Sequence, residues 1–383
     1  MEVAWLWGTR SGRMTGHAAR LLVVNAGSSS LKLTLLGGGN QTLAARELAA
    51  PRAELDRDAL RSALADGFAD ADAVAHRVAH GGPEFSDAVL IDADVRRDLE
   101  ELVDLAPLHQ PKSLAGIDAV SGALPELPAV ACFDTAFHTT LSPAAASYAL
   151  PAAWRERWRL RRYGFHGLSH GWVARRVPEL LGRSGEELRI VSCHLGAGAS
   201  LCAIEAGASR DTTMGFTPLE GLVMATRSGS VDPGMLLWLL ERTGMSEREL
   251  TSALEHESGL LGLAGSADMR EVLANAAGGD GDAELAVEVY LHRLRGAIAA
   301  MAAALGEIDV LVFTGGVGER SAEIRARAVA GLGFLGLAID EERNAAAPDA
   351  DVSVSGMARR VMVIRAREDL EMARQARSVI MNS

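Results

Sequence analysis

The chain has 383 residues and a formal charge of -12 at pH 7, with 48% hydrophobic and 23% charged residues. This length allows two domains with separate cores. The acidic balance excludes a protein that binds nucleic acid without regard to sequence, since such binding needs a net basic surface. Three cysteines, Cys132, Cys193 and Cys202, lie in no metal-like spacing. They argue against a disulfide framework or a zinc site and favour a cytoplasmic location.

The N-terminal stretch, residues 1–20, has a short apolar block but no small-residue cleavage site. We predict a disordered extension here rather than a secretory signal, with Met14 as an alternative start. Further along, Arg293 and Arg295 interrupt the longest apolar run, so no membrane span is predicted.

Strand-like and helix-like patterns alternate along the rest of the chain, which indicates an α/β architecture. Apolar runs typical of buried strands occur at 21–25, 129–133, 189–195, 310–314 and 361–364. Two amphipathic patterns between them predict helices that pack one face on a sheet. The residues of these two faces are Val173, Val177, Leu180 and Leu181, and Leu294, Ile298, Met301 and Leu305.

Two strand–loop–strand segments resemble each other, namely LLVVNAGSSSLKL at 21–33 and IVSCHLGAGASLCAI at 190–204. Asn25 matches His194, and Gly27 matches Gly196. A hairpin repeated in each half of the chain predicts two domains of similar fold. The alternative is that any two hairpins with glycine turns look alike.

The first of these loops combines small residues with hydroxyl donors and a positive charge. Small residues let backbone N–H groups converge on an anion, and Ser28, Ser29, Ser30 and Lys32 add donors. Lys32 is one of only two lysines in the chain. Because the G-x-x-x-x-G-K-[ST] spacing of a P-loop is absent, the loop is either a different kind of phosphate site or a plain hairpin turn.

Two further residues are candidates for chemistry. Arg77, in HRVAHGG, is a candidate anion clamp or a surface arginine; zinc binding by His76 and His80 is disfavoured, because no Glu lies between them and two glycines follow. Asp134 comes directly after the strand 129–133, where it can hold Mg²⁺ or a proton, or cap the next helix.

Three later motifs are individually weaker. His166 lies between glycines in YGFHGLSH, and Arg227 lies in the turn TRSGSVDP; a structural role is open for both. The segment VLVFTGGVGERSAEIRARA predicts a strand, a glycine turn and a helix, which suits a nucleotide at a helix N-terminus. A dinucleotide fingerprint is disfavoured, because Ser321 replaces the last glycine of G-x-G-x-x-G, although Asp340 has suitable spacing.

Taken in order, ten motifs closely resemble the acetate kinase family, within the acetate and sugar kinase, heat-shock ATPase and actin superfamily. They are NAGSSSLK, HRVAHGG, APLHQP, FDTAFH, YGFHGLSH, HLGAG, GFTPLEGL, TRSGSVDP, GGVGER and REDLEMAR. The resemblance implies an α/β fold of two ribonuclease-H-like, actin-like ATPase domains with a central cleft. It assigns residues 21–150 and 369–383 to the first domain, and 151–368 to the second, nucleotide-binding domain.

The resemblance also implies an activity: reversible, direct in-line transfer of the ATP γ-phosphoryl group to acetate, giving acetyl phosphate and ADP, with Mg²⁺ or Mn²⁺. The implied partners are a small-molecule substrate and a second copy in a homodimer, with neither nucleic acid nor membrane. Within the same class, the alternatives are a propionate or other short-chain carboxylate kinase, a butyrate kinase, and an enzyme that uses pyrophosphate or phosphate instead of ATP. A different class is an actin-like or chaperone-like ATPase that binds a protein.

Carried over motif by motif, the resemblance implies the following site residues. The catalytic residues are Asp134, Arg77, Arg227 and His166, and the metal residues are Asn25 and Glu368. The substrate pocket consists of Arg77, Ala79, Leu108, His109, Phe165 and Pro218. The nucleotide residues are Lys32, Ser28, Ser30, His194, Leu195, Gly196, Ala197, Gly198, Asp268, Met269, Arg270, Gly316, Val317, Gly318, Glu319 and Arg320.

Three positions depart from the family pattern. Ala197 in HLGAG and Arg320 in GVGER replace asparagines on the nucleotide side, which leaves the choice between ATP and pyrophosphate open. Ala79 stands where the family typically has valine, which enlarges the acyl pocket and predicts better use of propionate.

Asp134 has two open roles in such a reaction. A carboxylate acceptor is already ionised at pH 7, so its attack needs no general base. We therefore expect Asp134 to position the metal or its water rather than to abstract a proton.

Overall fold

The computed structural model describes residues 19–26, 30–49, 57–105, 110–345 and 348–383. Most of the predicted N-terminal extension lies outside the described residues, as do three predicted site residues, Ser28, Leu108 and His109. Among the residues that are described, no helix is both long and apolar enough to cross a bilayer.

The described residues contain twelve strands and fifteen α-helices. The strands are β1 Leu21–Ala26, β2 Ser30–Leu36, β3 Thr42–Ala49, β4 Ala73–Val78, β5 Val89–Leu90, β6 Ala129–Phe133, β7 Arg189–Leu195, β8 Ala199–Glu205, β9 Ala208–Thr212, β10 Val310–Thr314, β11 Ala350–Asp351 and β12 Arg360–Val363. The helices are α1 Arg57–Ala65, α2 Ala93–Glu101, α3 Gln110–Ala123, α4 Pro143–Ala146, α5 Ala152–Trp158, α6 Gly167–Leu181, α7 Pro233–Thr243, α8 Glu247–His256, α9 Gly259–Ala264, α10 Met269–Ala277, α11 Gly281–Leu305, α12 Gly315–Arg320, α13 Ala322–Ala330, α14 Glu341–Asn344 and α15 Glu368–Asn382.

The chain divides into two compact units. The first unit comprises the described residues of Met1–Phe137 and Arg367–Ser383, and the second comprises His138–Ala366. The predicted domains instead divide at 150/151 and 368/369, and this assignment stays a prediction. Glu368, which the predicted boundaries place in the second domain, belongs to the first unit.

Each unit is built on one six-stranded sheet, and the two sheets have the same topology. The strand orders are β3-β2-β1-β4-β6-β5 and β11-β12-β10-β7-β8-β9, the second being the first read in reverse. In both, a three-stranded antiparallel meander is followed by two parallel strands and an antiparallel edge strand. The repeat seen in the sequence is therefore a real duplication of structure, and the α/β, ribonuclease-H-like fold class is confirmed.

The five predicted strands all form, the last of them at 360–363 rather than 361–364, because each is a mainly apolar run that becomes a buried strand inside the edges of a sheet. The run at 310–314, for example, is β10, which lies between β7 and β12 and is buried at every position. The face predicted on α11 is also confirmed, since its four residues are all buried in the second unit's core. On α6, Val173 and Val177 are buried, whereas Leu180 and Leu181 are only half-buried.

The C-terminal helix α15 packs on the sheet of the first unit, where it contacts β1, β4, β5 and β6. The thiol of Cys132 in β6 lies 3.7 Å from the carbonyl oxygen of Met372 in α15. The opposite face of the sheet carries the core of the first unit, formed with Leu22, Val24 and α3. Because strand side chains alternate between faces, Asn25 lies on the α15 face.

Buried histidines give the fold a predicted sensitivity to acid. Burial lowers the pKa of His76 to about 3 and that of His138 to about 4, against an ordinary value of 6.5. The unfolded chain therefore binds more protons below pH 6.5, and stability is lost as the pH falls toward these values. At a pH near its folded-state pKa, each histidine has lowered the free energy of unfolding by an amount on the order of 3 kcal/mol.

We expect the free energy of unfolding, measured with urea, to fall between pH 6.5 and pH 4, and the slope to be shallower in a His76→Asn variant. An unchanged slope in that variant would show that His76 does not report on folding.

Candidate active site

The first unit brings four predicted residues together at one edge of its sheet. Asn25 is near the end of β1, Arg77 near the end of β4, Asp134 directly after β6, and Glu368 at the start of α15. Since β1, β4 and β6 run parallel, their carboxyl ends meet at this edge. Arg77 donates from Nε and Nη2 to Oδ2 of Asp134 at 2.9 and 2.6 Å, and from Nη1 to Oδ1 of Asn25 at 3.2 Å.

Glu368 completes this acid–base cluster. Its Oε2 lies 3.6 Å from Nη1 of Arg77 and accepts a hydrogen bond of 3.4 Å from Nδ2 of Asn25. Burial disfavours the charge of Arg77, but the carboxylates of Asp134 and Glu368 raise the pKa of Arg77 above its ordinary value. Arg77 is therefore a permanent cation at this edge, and the alternative of a surface arginine is excluded.

One of the two carboxylate oxygens of Asp134 accepts no hydrogen bond from the described residues. Its side chain is only 5% exposed, and Oδ2 accepts both bonds from Arg77, whereas Oδ1 is buried without a hydrogen-bond partner among the described residues. Burial raises the pKa of Asp134, while Arg77 acts in the opposite direction. The proposed helix cap is not formed, since neither oxygen bonds a backbone N–H of a described residue. An orphaned buried acceptor next to a second carboxylate suits a cation.

This donor set fits a magnesium-type ion better than zinc. The described part of the chain holds no group of three or more His, Cys, Asp or Glu residues able to bind a metal. Mg²⁺ commonly takes only one or two carboxylates and completes its shell with water and substrate phosphates. The zinc alternative fails because His76 lies in the strand β4 rather than on a helix.

The first hairpin presents one of its two described phosphate candidates. Lys32 is exposed on β2 and pairs with Asn25 across the hairpin, so both side chains lie on the same face of the sheet. Ser30, in contrast, donates its hydroxyl proton to Glu47 at 2.5 Å. In this structure Ser30 is not presenting a donor to an anion.

In the second unit, three predicted residues meet around Gly198. A methyl group at Gly198 would lie 3.3 Å from Nε2 of His166 and 3.6 Å from Nη1 of Arg227, so a larger residue here would crowd the histidine ring. His166 has a left-handed backbone (φ 56°), which is unusual outside glycine and concentrates at functional sites. The ring of His194 lies against that of His166, with centroids 4.4 Å apart and an angle of 32° between the ring planes.

Arg227 is held by an acid that the sequence did not point to. Its Nε lies 2.9 Å from Oε2 of Glu255 in α8, and the two side chains are 21% and 10% exposed. Glu255 is one of several acidic residues on and beside an amphipathic helix and stands in no motif, so only the structure reveals its role. Nη1 of Arg227 lies on the side of the guanidinium that is near Gly198.

A cavity of about 830 Å³ collects the predicted nucleotide residues of the second unit. Three separate predicted segments line it, contributing Gly196 and Ala197, then Asp268, Met269 and Arg270, then Gly316, Val317 and Arg320. Further lining residues were not predicted; they include the apolar Ala225, Leu260, Ala267 and Leu273, and Tyr290 from α11. Such a volume, lined by both apolar and polar residues, suits a nucleoside.

The remaining predicted nucleotide residues of this unit shape the cavity rather than line it. Leu195 and Gly318 are buried where α12 packs on β7. Glu319 accepts backbone hydrogen bonds from Gly315 at 3.1 Å and Ala366 at 2.9 Å, which fixes the turn after β10. The last acidic position of the dinucleotide alternative, Asp340, caps α14 instead, so that alternative is excluded.

Buried Arg325 also stabilises the segment that follows β10. It is 1% exposed and donates from Nη1 to the carbonyl oxygens of Gly318 and Glu319, at 2.9 Å each. Its Nε donates to Asn344 at 2.7 Å. These bonds satisfy terminal carbonyls of α12 and hold the helix that carries Arg320.

Ala197 and Arg320, the two nucleotide-side positions that differ from the family pattern, both line this cavity, as does Asp268. Asp268 caps α10 and pairs with Arg270 at 2.5 Å, which lowers the pKa of Asp268 to about 2. Arg320 is exposed at the cavity, and Ala197 leaves room there. The two departures on the nucleotide side, Ala197 and Arg320, therefore line the same cavity.

The predicted acyl-pocket residues divide between the units. In the first unit Ala79 is half-buried directly after β4. In the second unit Phe165 and Pro218 are buried, and the carbonyl oxygen of Phe165 accepts a hydrogen bond of 3.0 Å from Nε2 of His138.

Comparison with known proteins decides the family. The model of the acetokinase family matches residues 54–374.

The chain belongs to the acetokinase family.

Its relatives match it over most of their length. Acetate kinase of Synechococcus sp. (strain JA-2-3B'a(2-13)) is 52% identical over 80% of this chain and 76% of its own. Among solved structures, acetate kinase of Porphyromonas gingivalis is 34% identical with a TM-score of 0.87, covering 95% of this chain and 100% of its own. A propionate kinase of Francisella tularensis subsp. tularensis SCHU S4 is 36% identical with a TM-score of 0.87, covering 93% and 98%. As an acetokinase, this chain is a phosphotransferase whose acceptor is a carboxyl group.

Proposed function

We propose that this acetokinase transfers the γ-phosphoryl group of ATP directly and reversibly to acetate, giving acetyl phosphate and ADP, with Mg²⁺ as the metal. The observation that carries the proposal is the nucleotide-sized cavity, because its lining joins three segments that the sequence predicted separately for ATP. The curated acetate kinases that match the chain support acetate as the acceptor.

The main obstacle in this reaction is electrostatic. Two unit charges about 4 Å apart repel by roughly 4 kcal/mol at an effective dielectric near 20, and here a carboxylate must approach a phosphate. Arginines answer this need, since they stay charged and present a planar fork of donors. Arg77 would hold the acceptor carboxylate, while Arg227 and His166 would stabilise the oxygens of the moving phosphoryl group.

The carboxylate cluster of the first unit would hold the metal. Asn25, Asp134 and Glu368 offer the oxygen ligands that Mg²⁺ prefers, and the orphaned Oδ1 of Asp134 is the strongest sign of a cation. The metal would neutralise charge on the phosphates. Asp134 then positions the metal or its water, and no base is needed, since the acceptor is already ionised.

The nucleotide cavity favours ATP over pyrophosphate. A pyrophosphate donor has no base or ribose, so it gains nothing from a cavity of about 830 Å³ with an apolar side formed by Ala225, Leu260 and Leu273. Ala197 and Arg320 change the lining without closing it. ATP, with Lys32 and the second unit's loops on its phosphates, is therefore the proposed donor.

The experiment is a matrix of donors and acceptors. Acyl phosphate is trapped as the hydroxamate from acetate, propionate and butyrate, each with ATP and with pyrophosphate. We expect acetate with ATP to give the highest rate and pyrophosphate to give none. A higher rate with pyrophosphate than with ATP would contradict ATP as the phosphoryl donor. ATP hydrolysis independent of any carboxylate would favour the actin-like ATPase class.

Propionate is a second candidate acceptor, favoured by Ala79 and by the likeness to a propionate kinase. An alanine beside the acyl chain leaves room for one more carbon, at a scale of about 0.8 kcal/mol per buried CH₂. We expect Ala79→Val to lower kcat/KM for propionate about fivefold relative to acetate. An unchanged propionate-to-acetate ratio would show that Ala79 does not line the acyl pocket.

A homodimer is the proposed assembly, and helix α7 is its proposed interface. No residue of α7 is buried, yet it exposes Leu237 by 63%, Trp238 by 55% and Met235 by 43%. Contiguous exposed apolar side chains on one helix mark an interaction surface. Sedimentation velocity is expected to show a dimer that Leu237→Glu converts to a monomer; a wild-type monomer at micromolar concentration would refute the assembly.

The location in the cytoplasm also belongs to the proposal. The three cysteines are all buried free thiols, which fits a reducing compartment.

A further inference from the structure

Behind His166, a row of buried polar side chains runs into the second unit. Ser200 Oγ lies 2.9 Å from Nδ1 of His166 and 2.8 Å from Nε2 of His170. The other ring nitrogen of His170, Nδ1, lies 2.9 Å from Oγ of Ser192. His170, Ser192 and Ser200 are each fully buried, so water does not compete for these bonds.

The number of protons restricts how this row can be arranged. Burial, together with His138 and His194, lowers the pKa of His170 well below its ordinary value, so its ring is neutral and carries one N–H. Ser200 has one hydroxyl proton, and its side chain bonds only the two histidines among the described residues. One histidine therefore accepts from Ser200 and the other donates to it.

Ser192 decides the direction. Within the described part of the chain, its hydroxyl has a single hydrogen-bond partner, Nδ1 of His170. If His170 donated to Ser192, the buried serine proton would have no acceptor, which costs about 1–3 kcal/mol. The fully satisfied order is thus Ser192 to His170, His170 to Ser200, and Ser200 to His166.

We infer that Ser192, His170 and Ser200 form a one-way hydrogen-bond wire that holds His166 as the neutral tautomer with its proton on Nε2. In this role Ser200 and His170 are positioning residues, and the inference rests on the proposed function only for its effect on catalysis.

The wire would matter because of what Nε2 faces. Nε2 of His166 points to Gly198 beside Nη1 of Arg227. A fixed N–H there is a preorganised donor for a phosphoryl oxygen, whereas the other tautomer would present a lone pair that repels it. Outside the serine wire, the ring of His166 contacts the tilted ring of His194, whose Nδ1 lies 2.8 Å from Oγ of Ser169.

The first test reads the tautomer without any substrate. Nitrogen NMR of protein labelled in its histidines distinguishes a protonated from an unprotonated ring nitrogen. We expect His166, assigned with a His166→Gln variant, to carry its proton on Nε2 in wild type and in Ser200→Thr, and to become a mixture of tautomers in Ser200→Ala and Ser192→Ala. A proton on Nδ1 of His166 in the wild type would overturn the wire.

The matched control is Ser209→Ala. Ser209 is a buried serine bonded to a buried histidine, His138, at 2.9 Å, yet it lies outside the wire. It should cost similar stability and leave the His166 tautomer unchanged. A change in tautomer equal to that of Ser200→Ala would show a general loosening of the fold and contradict the wire.

The second test is kinetic. Ser200→Ala is expected to lower kcat about tenfold to a hundredfold with KM for acetate within about threefold, and Ser200→Thr to restore most of it. Full activity in Ser200→Ala together with a scrambled tautomer would overturn the link to catalysis. If the wild type made no acetyl phosphate but showed the Nε2 proton, the proposed function would fail while the wire stood.

Discussion

Replacing Arg227 by alanine is expected to lower kcat for acetyl phosphate formation by about 10³-fold or more, with a smaller effect on KM for ATP. An arginine that acts on a transferring phosphoryl group is worth about 10³ to 10⁵ in rate, because its charge is needed most in the transition state. Steady-state kinetics with acetate and ATP measure both constants.

Two further variants locate the effect. Glu255→Gln keeps a hydrogen-bond acceptor 2.9 Å from Nε of Arg227 but removes the charge, so we expect a loss below tenfold. Arg293→Ala removes an exposed arginine of α11 in the same unit and should leave kcat within twofold, at about the scatter of such measurements. Loss of kcat below tenfold in Arg227→Ala would remove Arg227 from the phosphoryl site.

Asp134→Asn is expected to produce the second large loss, about 10³-fold in kcat at ordinary Mg²⁺ concentrations, with a raised requirement for Mg²⁺. The substitution keeps the size of the side chain while removing the charge from the orphaned Oδ1. Titration of activity with Mg²⁺ and with Mn²⁺ measures the requirement.

Glu371→Gln is the control for this second prediction. Glu371 is also a carboxylate of the first unit, 2% exposed and paired with Arg374 at 3.0 Å, but it lies outside the metal cluster. It should change stability without changing the Mg²⁺ requirement. A normal Mg²⁺ requirement in Asp134→Asn, with a displaced pH–rate profile, would instead make Asp134 a proton acceptor.

The sequence predicted the fold well because its signals are local. The runs at 129–133 and 310–314 are apolar enough to be central strands and nothing else, and they form β6 and β10 at those residues. The repeat between 21–33 and 190–204 was visible because both segments keep the same order of apolar strand, small residues and second strand. The structure then extended it to two complete sheets with equal strand order.

The site was predictable where a motif names a residue and unpredictable where packing selects one. Arg77 and Asp134 stand in motifs, and the structure joins them at 2.6 Å. Glu255 stands in no motif, because holding Arg227 requires only an acid at the right point of α8. Ser30 had the right chemistry for a phosphate donor, but the sequence gives no sign that Glu47, on the neighbouring strand β3, accepts its proton.

The direction of the wire behind His166 was likewise beyond the sequence. It depends on the absence of a second acceptor near Ser192 among the described residues, which is a property of three-dimensional packing.

Transfer of the γ-phosphoryl group to a carboxylate oxygen of acetate is the central claim, and isotope-labelled acetate tests it. Acetate with ¹⁸O in both carboxylate positions is incubated with the enzyme, ATP and Mg²⁺, and the products are observed by ³¹P NMR. We predict an acetyl phosphate resonance shifted by one bridging ¹⁸O, with no label in ADP. Label in AMP, or ADP release without labelled acetyl phosphate, would contradict it.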